Sequence, residues 1–469
     1  MIRSTCSKAA LGVVLALLAL SALAAELKGV LPSNPQAEPE LIHPLTNSRV
    51  EHLDNGLTIV LHQDRRAPVI ELQLWYRVGA IDEPAGLTGI SHALEHMMFQ
   101  GTSTTPPGEY NRRIAKLGGR KNAYTTRDYT YYYSVLPASD LGVALKLEAD
   151  RMLHLSLADD QFGNEIKVVM EERRLNTENN AFRAFNERLE RVVYPESVMS
   201  NPVIGHMDDL KKLKAADLRR WYQQWYTPSN AILVLAGDFE SDVALAQIRR
   251  EFGALPGKSL PERIKVTEPI QQVGKRLKSK QPAANSMVTF RWRLPTQLPE
   301  KDRAALAMLA EMLDNDYQDR RLALASDSLG AYFDYPTRGE PSFVLTATPT
   351  DDTSLSSLES AMDKQVSLLR GAGLYGEMLE RGKARMLAQN YFSFDSLSNR
   401  ATELGRSVLY GETPQQYVAG LARMQQVTLD DLERVAETYL NETNRSVGVL
   451  DALPVSDMQS VSQEVTHGR

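Results

Sequence analysis

The chain has 469 residues, 43% hydrophobic and 24% charged, a balance that excludes a disordered tail, a collagen-like fibre and a small disulfide-stapled scaffold. At roughly 100–200 residues per domain, two to three domains are expected. The formal charge of −6 argues against nucleic acid as a partner, because a polyanion binder carries the opposite sign.

Arg3 and Lys8 flank the start of an apolar stretch over residues 9–20, and Ala22-Leu23-Ala24 offers the small residues a signal peptidase needs. Residues 1–24 therefore read as a secretory signal, its apolar run being shorter than the ~20 residues of a membrane span. An uncleaved anchor is the rival reading. Cleavage takes away two positive charges, leaving −8, and removes Cys6, the only cysteine. No lipobox precedes Cys6, so a lipoprotein anchor has no support. A thiol-free exported chain suits an oxidising compartment, and any metal site in it must be built from His, Asp and Glu.

Residues 25–46 form a Pro-rich, acidic lead. A β-rich run at 57–62 follows. Over residues 68–79, Ile70, Leu72, Leu74, Tyr76 and Val78 alternate with Glu71, Gln73 and Arg77, the period-2 signature of a half-buried strand. Helical patterns cover 89–100, 109–117 and 139–154, with a Tyr- and Thr-rich strand, 122–136, between the last two. A long polar helix starts near Asp159. Pro, Gly and charge interrupt the pattern at 256–269, and beyond it the order restarts: Val288, Phe290, Trp292 and Leu294 alternate as the strand at Ile70 does, and a helix over 302–313 follows. Asp217-Leu218, Trp225 and Asn230 match Asp431-Leu432, Tyr439 and Asn444 at one shared offset of 214 residues. An α+β chain built from two duplicated halves is the expectation.

His92 and His96 lie four apart in Ile90-Ser91-His92-Ala93-Leu94-Glu95-His96. Thr88 or Ser91 offers a cap and Gly101 follows the end, so the segment reads as a helix that projects both imidazoles from one face, as a shared metal ion requires. The string H-x-x-E-H is the inverzincin pattern. A solvated helix face with a spare His pair is the plain alternative. Because a catalytic zinc takes three protein ligands, the helix carrying Glu165, Glu171 and Glu172 is the place to look for the third. With Ile166, Val168 and Val169 as its apolar arc, Glu165 and Glu172 lie seven residues apart inside that arc and Glu171 points nearly opposite. Two acids on a buried side need a cation or hydrogen bonds. Pairing with Arg173, Arg174 or another arginine is the competing explanation.

H-x-x-E-H followed 76 residues later by Glu172, itself preceded by Glu165, resembles the pitrilysin and insulinase metallopeptidases, including the mitochondrial processing peptidases. Gly118-Gly119 with Asn122-Ala123-Tyr124-Thr125, the Pro202-Val203-Ile204-Gly205 run and Trp225-Tyr226-Thr227-Pro228 extend the likeness, which covers about residues 45–460 and is weak in the second half. The resemblance implies two duplicated halves, each an antiparallel sheet flanked by helices, forming half of a clamshell-like peptidase dimer. The expected domains are 47–255 with the zinc, a linker at 256–269, a homologous domain without the motif at 270–460 and a tail at 461–469. The family pattern places one Zn2+ per chain on His92, His96 and Glu172, makes Glu95 the general base, and has Glu165 support the site.

The same resemblance puts Asn122, Ala123 and Tyr124 on an edge strand that pairs with extended peptide, and Arg321 and Tyr332 where active members bring an Arg-Tyr pair to substrate. Here the usual Ser before that Arg is absent. For the rings of residues 129–133, sheet packing is expected. The implied partners are a peptide or unfolded-protein substrate and a second chain, identical or homologous without the zinc motif, with no nucleic acid and no membrane span in the mature chain. The expected activity is zinc-dependent endopeptidase in the periplasm of a Gram-negative bacterium. The competing class is a non-cleaving peptide-binding or assembly subunit.

Overall fold

Two sheets, of six and five strands, form the frame of the structure. The computed structural model describes residues 43–264, 268–315, 325–336, 338–371 and 376–454. The expected signal peptide, most of the lead, Arg321 and the tail lie outside the described residues. Both sheets and their helices belong to the compact unit that begins at Leu45.

In chain order the first half runs β1 (Arg49–His52), β2 (Thr58–Gln63), β3 (Val69–Tyr76), α1 (Ile90–Met97), α2 (Glu109–Lys116), β4 (Arg120–Thr125), β5 (Thr130–Pro137), α3 (Leu141–His154), α4 (Asp159–Arg173), α5 (Ala181–Val193), α6 (Met207–Leu210), α7 (Ala215–Trp225), β6 (Ala231–Gly237) and α8 (Ser241–Phe252). The second runs β7 (Lys275–Pro282), β8 (Met287–Arg293), α9 (Glu300–Asn315), β9 (Ser326–Asp334), β10 (Ser342–Pro349), α10 (Leu355–Leu369), α11 (Gly376–Ser393), α12 (Leu397–Leu409), α13 (Pro414–Met424), α14 (Leu429–Tyr439) and β11 (Arg445–Leu453).

The first sheet has the order β1-β2-β6-β3-β5-β4 and the second β7-β11-β8-β10-β9. Without β1, the two orders are the same when β2, β6, β3, β5 and β4 are read as β7, β11, β8, β10 and β9. The sheets are not wholly antiparallel: β2 with β6 and β7 with β11 are parallel pairs, one in each sheet at corresponding places. The fold is therefore α+β and duplicated, as the offset of 214 predicts. The strand expected over 122–136 is a hairpin, β4 and β5, broken where Thr126 and Tyr129 close the turn.

One face of each sheet is covered by its own half. Leu72, Leu74 and Leu233 pack under α1, α3, α7 and α8, and Phe290, Trp292 and Leu345 pack under α9, α10 and α14. The other faces are covered by exchange. Helix α12 of the second half lays Ala401 and Leu404 on Val60, Trp75, Ile232 and Val234 of the first sheet. Helix α5 of the first half lays Phe185 and Leu189 on Met287 and Leu450 of the second. Close approach at the first crossing needs a glycine, because a Cβ on Gly405 would stand 2.6 Å from the Trp75 indole nitrogen.

The exchange corrects one expectation. Strand β3 is not half-buried: Glu71 and Gln73 are as buried as the leucines between them. Their face meets α12, where Gln73 Nε2 donates to Thr402 Oγ1 at 3.1 Å and Ser398 donates to Glu71. Tyr131 stacks on Trp75 with ring centroids 4.2 Å apart, which is the sheet packing expected of that tyrosine.

Candidate metal centre

Helix α1 begins unusually. Its first turn is opened by Gly89 at φ +86° with no side-chain cap, and neither Thr88 nor Ser91 caps it, against expectation. The orphan N–H groups of that turn go instead to Glu83 in the preceding loop, whose carboxylate accepts from Gly89 N at 2.7 Å and Ser91 N at 2.9 Å. The Thr88 hydroxyl donates to Asp209 at 2.7 Å.

From this turn α1 projects His92 and His96, with ring centroids 4.8 Å apart. Helix α4 brings Glu172 opposite them: its Oε2 lies 3.7 Å from His92 Nε2 and 3.4 Å from His96 Nε2. Among the described residues, this is the one trio of His, Cys, Asp or Glu with a ligand atom each within 4.8 Å of the others. Glu165 Oε1 lies 2.8 Å from His96 Nδ1, and its other oxygen accepts from Gln100 at 2.9 Å. That contact occupies Nδ1 and leaves His96 Nε2 turned to the trio.

The buried face of α4 is made by Phe162, Ile166, Val169 and Arg173, while Val168 is exposed. The arc drawn from the sequence is therefore displaced by about one residue's turn, with Glu165 and Glu172 on its margin. The arginine alternative is not what the structure holds. Arg173 pairs with Glu187 at 2.8 Å and Arg174 with Glu171 at 2.8 Å.

The residues fit a divalent cation on their chemistry. Two imidazole nitrogens and one carboxylate oxygen converge, a donor set suited to zinc. Among the described residues, buried His92 Nδ1 has no hydrogen-bond partner. Burial and the neighbouring His96 hold the His92 pKa down to about 4, so its ring is neutral and free to donate a lone pair. Burial alone would lower His96, but Glu172 and Glu165 outweigh it and raise its pKa, because the acids that attract a proton there would attract a cation.

Glu95 shares the cleft. Burial raises its pKa, and the Thr125 hydroxyl, donating to Oε2 at 2.6 Å, pulls it back. The cleft, about 590 Å³, is walled by the trio, Glu95, Ala123, Tyr124 and Thr125 of β4, Arg127 and residues 200–204. Ala123 and Tyr124 therefore face it, whereas Asn122 sits one step further along β4, opposite Tyr133. Strand β4 is a sheet edge. Tyr332, on β9, accepts from Arg291 at 3.0 Å; Arg291 pairs with Glu190, which lines the cleft. Thr125, Glu83 and Arg173 were not read from the sequence as site residues. Thr125 alone had a local signal, standing next to Tyr124.

The family description Insulinase (Peptidase family M16) matches residues 58–205, and Peptidase M16 inactive domain matches 212–386. Together they span more than half of the chain, and the chain belongs to the M16, or insulinase, peptidase family. It is 27% identical over 410 residues to "Zinc protease PqqE" of Helicobacter pylori, covering 83% of this chain and 90% of that protein. Its fold matches a protease from Helicobacter pylori with TM-score 0.81 at 24% identity, over 86% of this chain and 99% of the other. The periplasmic protease PqqL of Escherichia coli matches with TM-score 0.75 at 20% identity, over 90% of this chain and 50% of that one. Among the described residues no helix is long and apolar enough to cross a membrane.

Proposed function

We propose that the chain is a zinc-dependent endopeptidase that hydrolyses extended or unfolded peptides inside a dimeric chamber. The observation that carries this reading is the convergence of His92, His96 and Glu172 beside Glu95, in a cleft walled by an open sheet edge. His92, His96 and Glu172 hold one zinc, and Glu165 orients His96. When bound, the metal supplies Lewis acidity, polarising a carbonyl and making water acidic enough to lose a proton near neutrality.

The protein's own groups do the rest. Glu95, turned into the cleft by Thr125, takes a proton from the attacking water and delivers it to the leaving amine nitrogen as the C–N bond breaks. Substrate lies as an added strand along Asn122, Ala123 and Tyr124, paired through its main chain, which reads extension more than sequence. Arg321 and Tyr332 reach substrate from the second half. The working domains are 47–255 and 270–460 joined by 256–269, and the chain acts in the periplasm after a cleaved signal. The name of the PqqE relative and the periplasmic description of PqqL support the activity and the compartment.

The test is zinc content with cleavage of a quenched-fluorescent peptide library by wild type and Glu95→Gln. Stoichiometric zinc in both, with cleavage lost only in the variant, is the expected result. Zinc without cleavage by the wild type would point to a missing homologous partner chain or to a peptide-binding subunit, which co-purification with that partner separates. Absence of zinc would overturn the reading.

A further inference from the structure

The trio is split between two helices, α1 with the histidines and α4 with Glu172; Glu165 joins them directly through His96 and Gln100, and a second link runs through a residue outside the trio. Glu172 occupies the last turn of α4, after which the chain widens into a π turn over Arg174–Glu178, closed by Asn179 N on Arg174 O. Regular helix geometry stops one residue beyond Glu172, and among the described residues its other oxygen accepts from Asn176 at 3.3 Å. The next residue is anchored far more firmly. The Arg173 guanidinium is buried and donates to Glu187 on α5 at 3.0 and 2.8 Å, and to the Gly205 carbonyl at 2.7 Å.

Gly205, at φ +84°, lies back to back with the start of the histidine helix. A Cβ there would stand 2.6 Å from Gly89 Cα and would strike the Thr88 carbonyl. His206 N also donates to the Thr88 hydroxyl at 2.8 Å. A chain of direct contacts, Arg173 to Gly205 to Gly89, thus joins the turn that carries Glu172 to the turn that launches His92 and His96. At the Gly205–Gly89 crossing backbone meets backbone, with the Leu210 side chain beside it, and the planar guanidinium fixes its acceptors in direction as well as distance.

We infer that Arg173 is a positioning residue that sets the spacing between Glu172 and the two histidines through the Gly205–Gly89 crossing. The inference rests on the zinc reading above. A purely structural ion pair between α4 and α5 would contribute to the stability of the metal-free fold and leave the metal affinity of the folded protein alone. A spacing role instead acts on that affinity.

The experiment measures the zinc dissociation constant, by competition with a chromogenic chelator, for the full chain and for Arg173→Lys, alongside melting of the metal-free proteins. Lysine keeps a charge for Glu187 but cannot hold Glu187 and the Gly205 carbonyl in one plane. The expected result is a metal-free protein that still melts cooperatively, at a lower temperature than wild type, with zinc affinity weaker by roughly 10- to 100-fold and kcat reduced at little-changed KM. A folded Arg173→Lys protein with a zinc dissociation constant within about twofold of wild type would overturn the inference. Should Arg173→Lys fail to fold, Glu187→Gln, which loosens the same fork from its other side, decides by the same criterion. A wild type that binds no zinc brings down the zinc reading itself, a result distinguishable from equal binding by wild type and variant.

Discussion

Thr125 shows how one hydroxyl shapes the chemistry proposed for its neighbour. It donates to Glu95 at 2.6 Å and so selects which carboxylate oxygen faces the cleft. Thr125→Val keeps the shape and removes the donor. The expected outcome is a kcat lower by about tenfold, a fraction of the 10²–10⁴ that general-base catalysis supplies, with unchanged zinc stoichiometry; steady-state kinetics and metal analysis check it. At this scale the sequence was legible where a pattern is local. His92, Glu95 and His96 stand within one turn and a half, and helix periodicity singles out Glu172 over Glu171. Glu83 and Arg173 were illegible, since a carboxylate capping a helix from a loop, or an arginine reaching a carbonyl 32 residues away, has no sequence period.

Among elements, β2, β3, β6, β8 and β11 have a sequence signal, β1, β7, β9 and β10 were not read, and one face of β3 was misread. Glu71 and Gln73 look like a solvent face because alternation records polarity and not what covers it; here α12 supplies polar partners for them. The same happens on β8, where Arg291 is buried against Glu190 of α5 and Arg293 against Glu340. At the α12 crossing, Gly405→Ala places a methyl 2.6 Å from the Trp75 nitrogen and is expected to cost about 1–3 kcal/mol of overpacking, read by urea denaturation. At the start of α14, Asp431 closes a capping box with Thr428 and pairs with Lys301 at 2.7 Å. Burial pushes its pKa up, but Lys301 and Thr428 more than reverse this and bring it down to about 2. A depressed carboxyl stabilises the fold above its unfolded value, near 4, and that increment is lost as pH falls toward 2. Asp431→Asn should therefore lower the melting temperature at pH 6 and narrow its gap to wild type at pH 2.5, which calorimetry across that range measures.

For the molecule as a whole, duplication was visible in a handful of matched residues, but the exchange of helices between halves was not. Each exchanged helix is amphipathic on its own terms, and nothing in its pattern says which sheet receives it. Asp82 adds a polar fastening between the halves, taking Arg338 at 2.6 and 2.8 Å and Arg263 at 2.8 Å while almost fully buried. Residues 45–264 expressed alone would expose Val60, Trp75, Ile232 and Val234 together. That fragment is expected to aggregate and bind an apolar dye, and co-expression with residues 265–454 should restore a soluble complex by gel filtration.

The reach of α12 also imposes a timetable on biogenesis. The outer face of the first sheet is complete only when residues 397–409 arrive, some 160 residues after β6 ends at Gly237. At ~5–20 residues per second of synthesis that delay is on the order of ten seconds or more. Throughout it Trp75 and its apolar neighbours lack the helix that covers them in the finished fold, which ties the solubility of the first half to the speed at which the second is delivered.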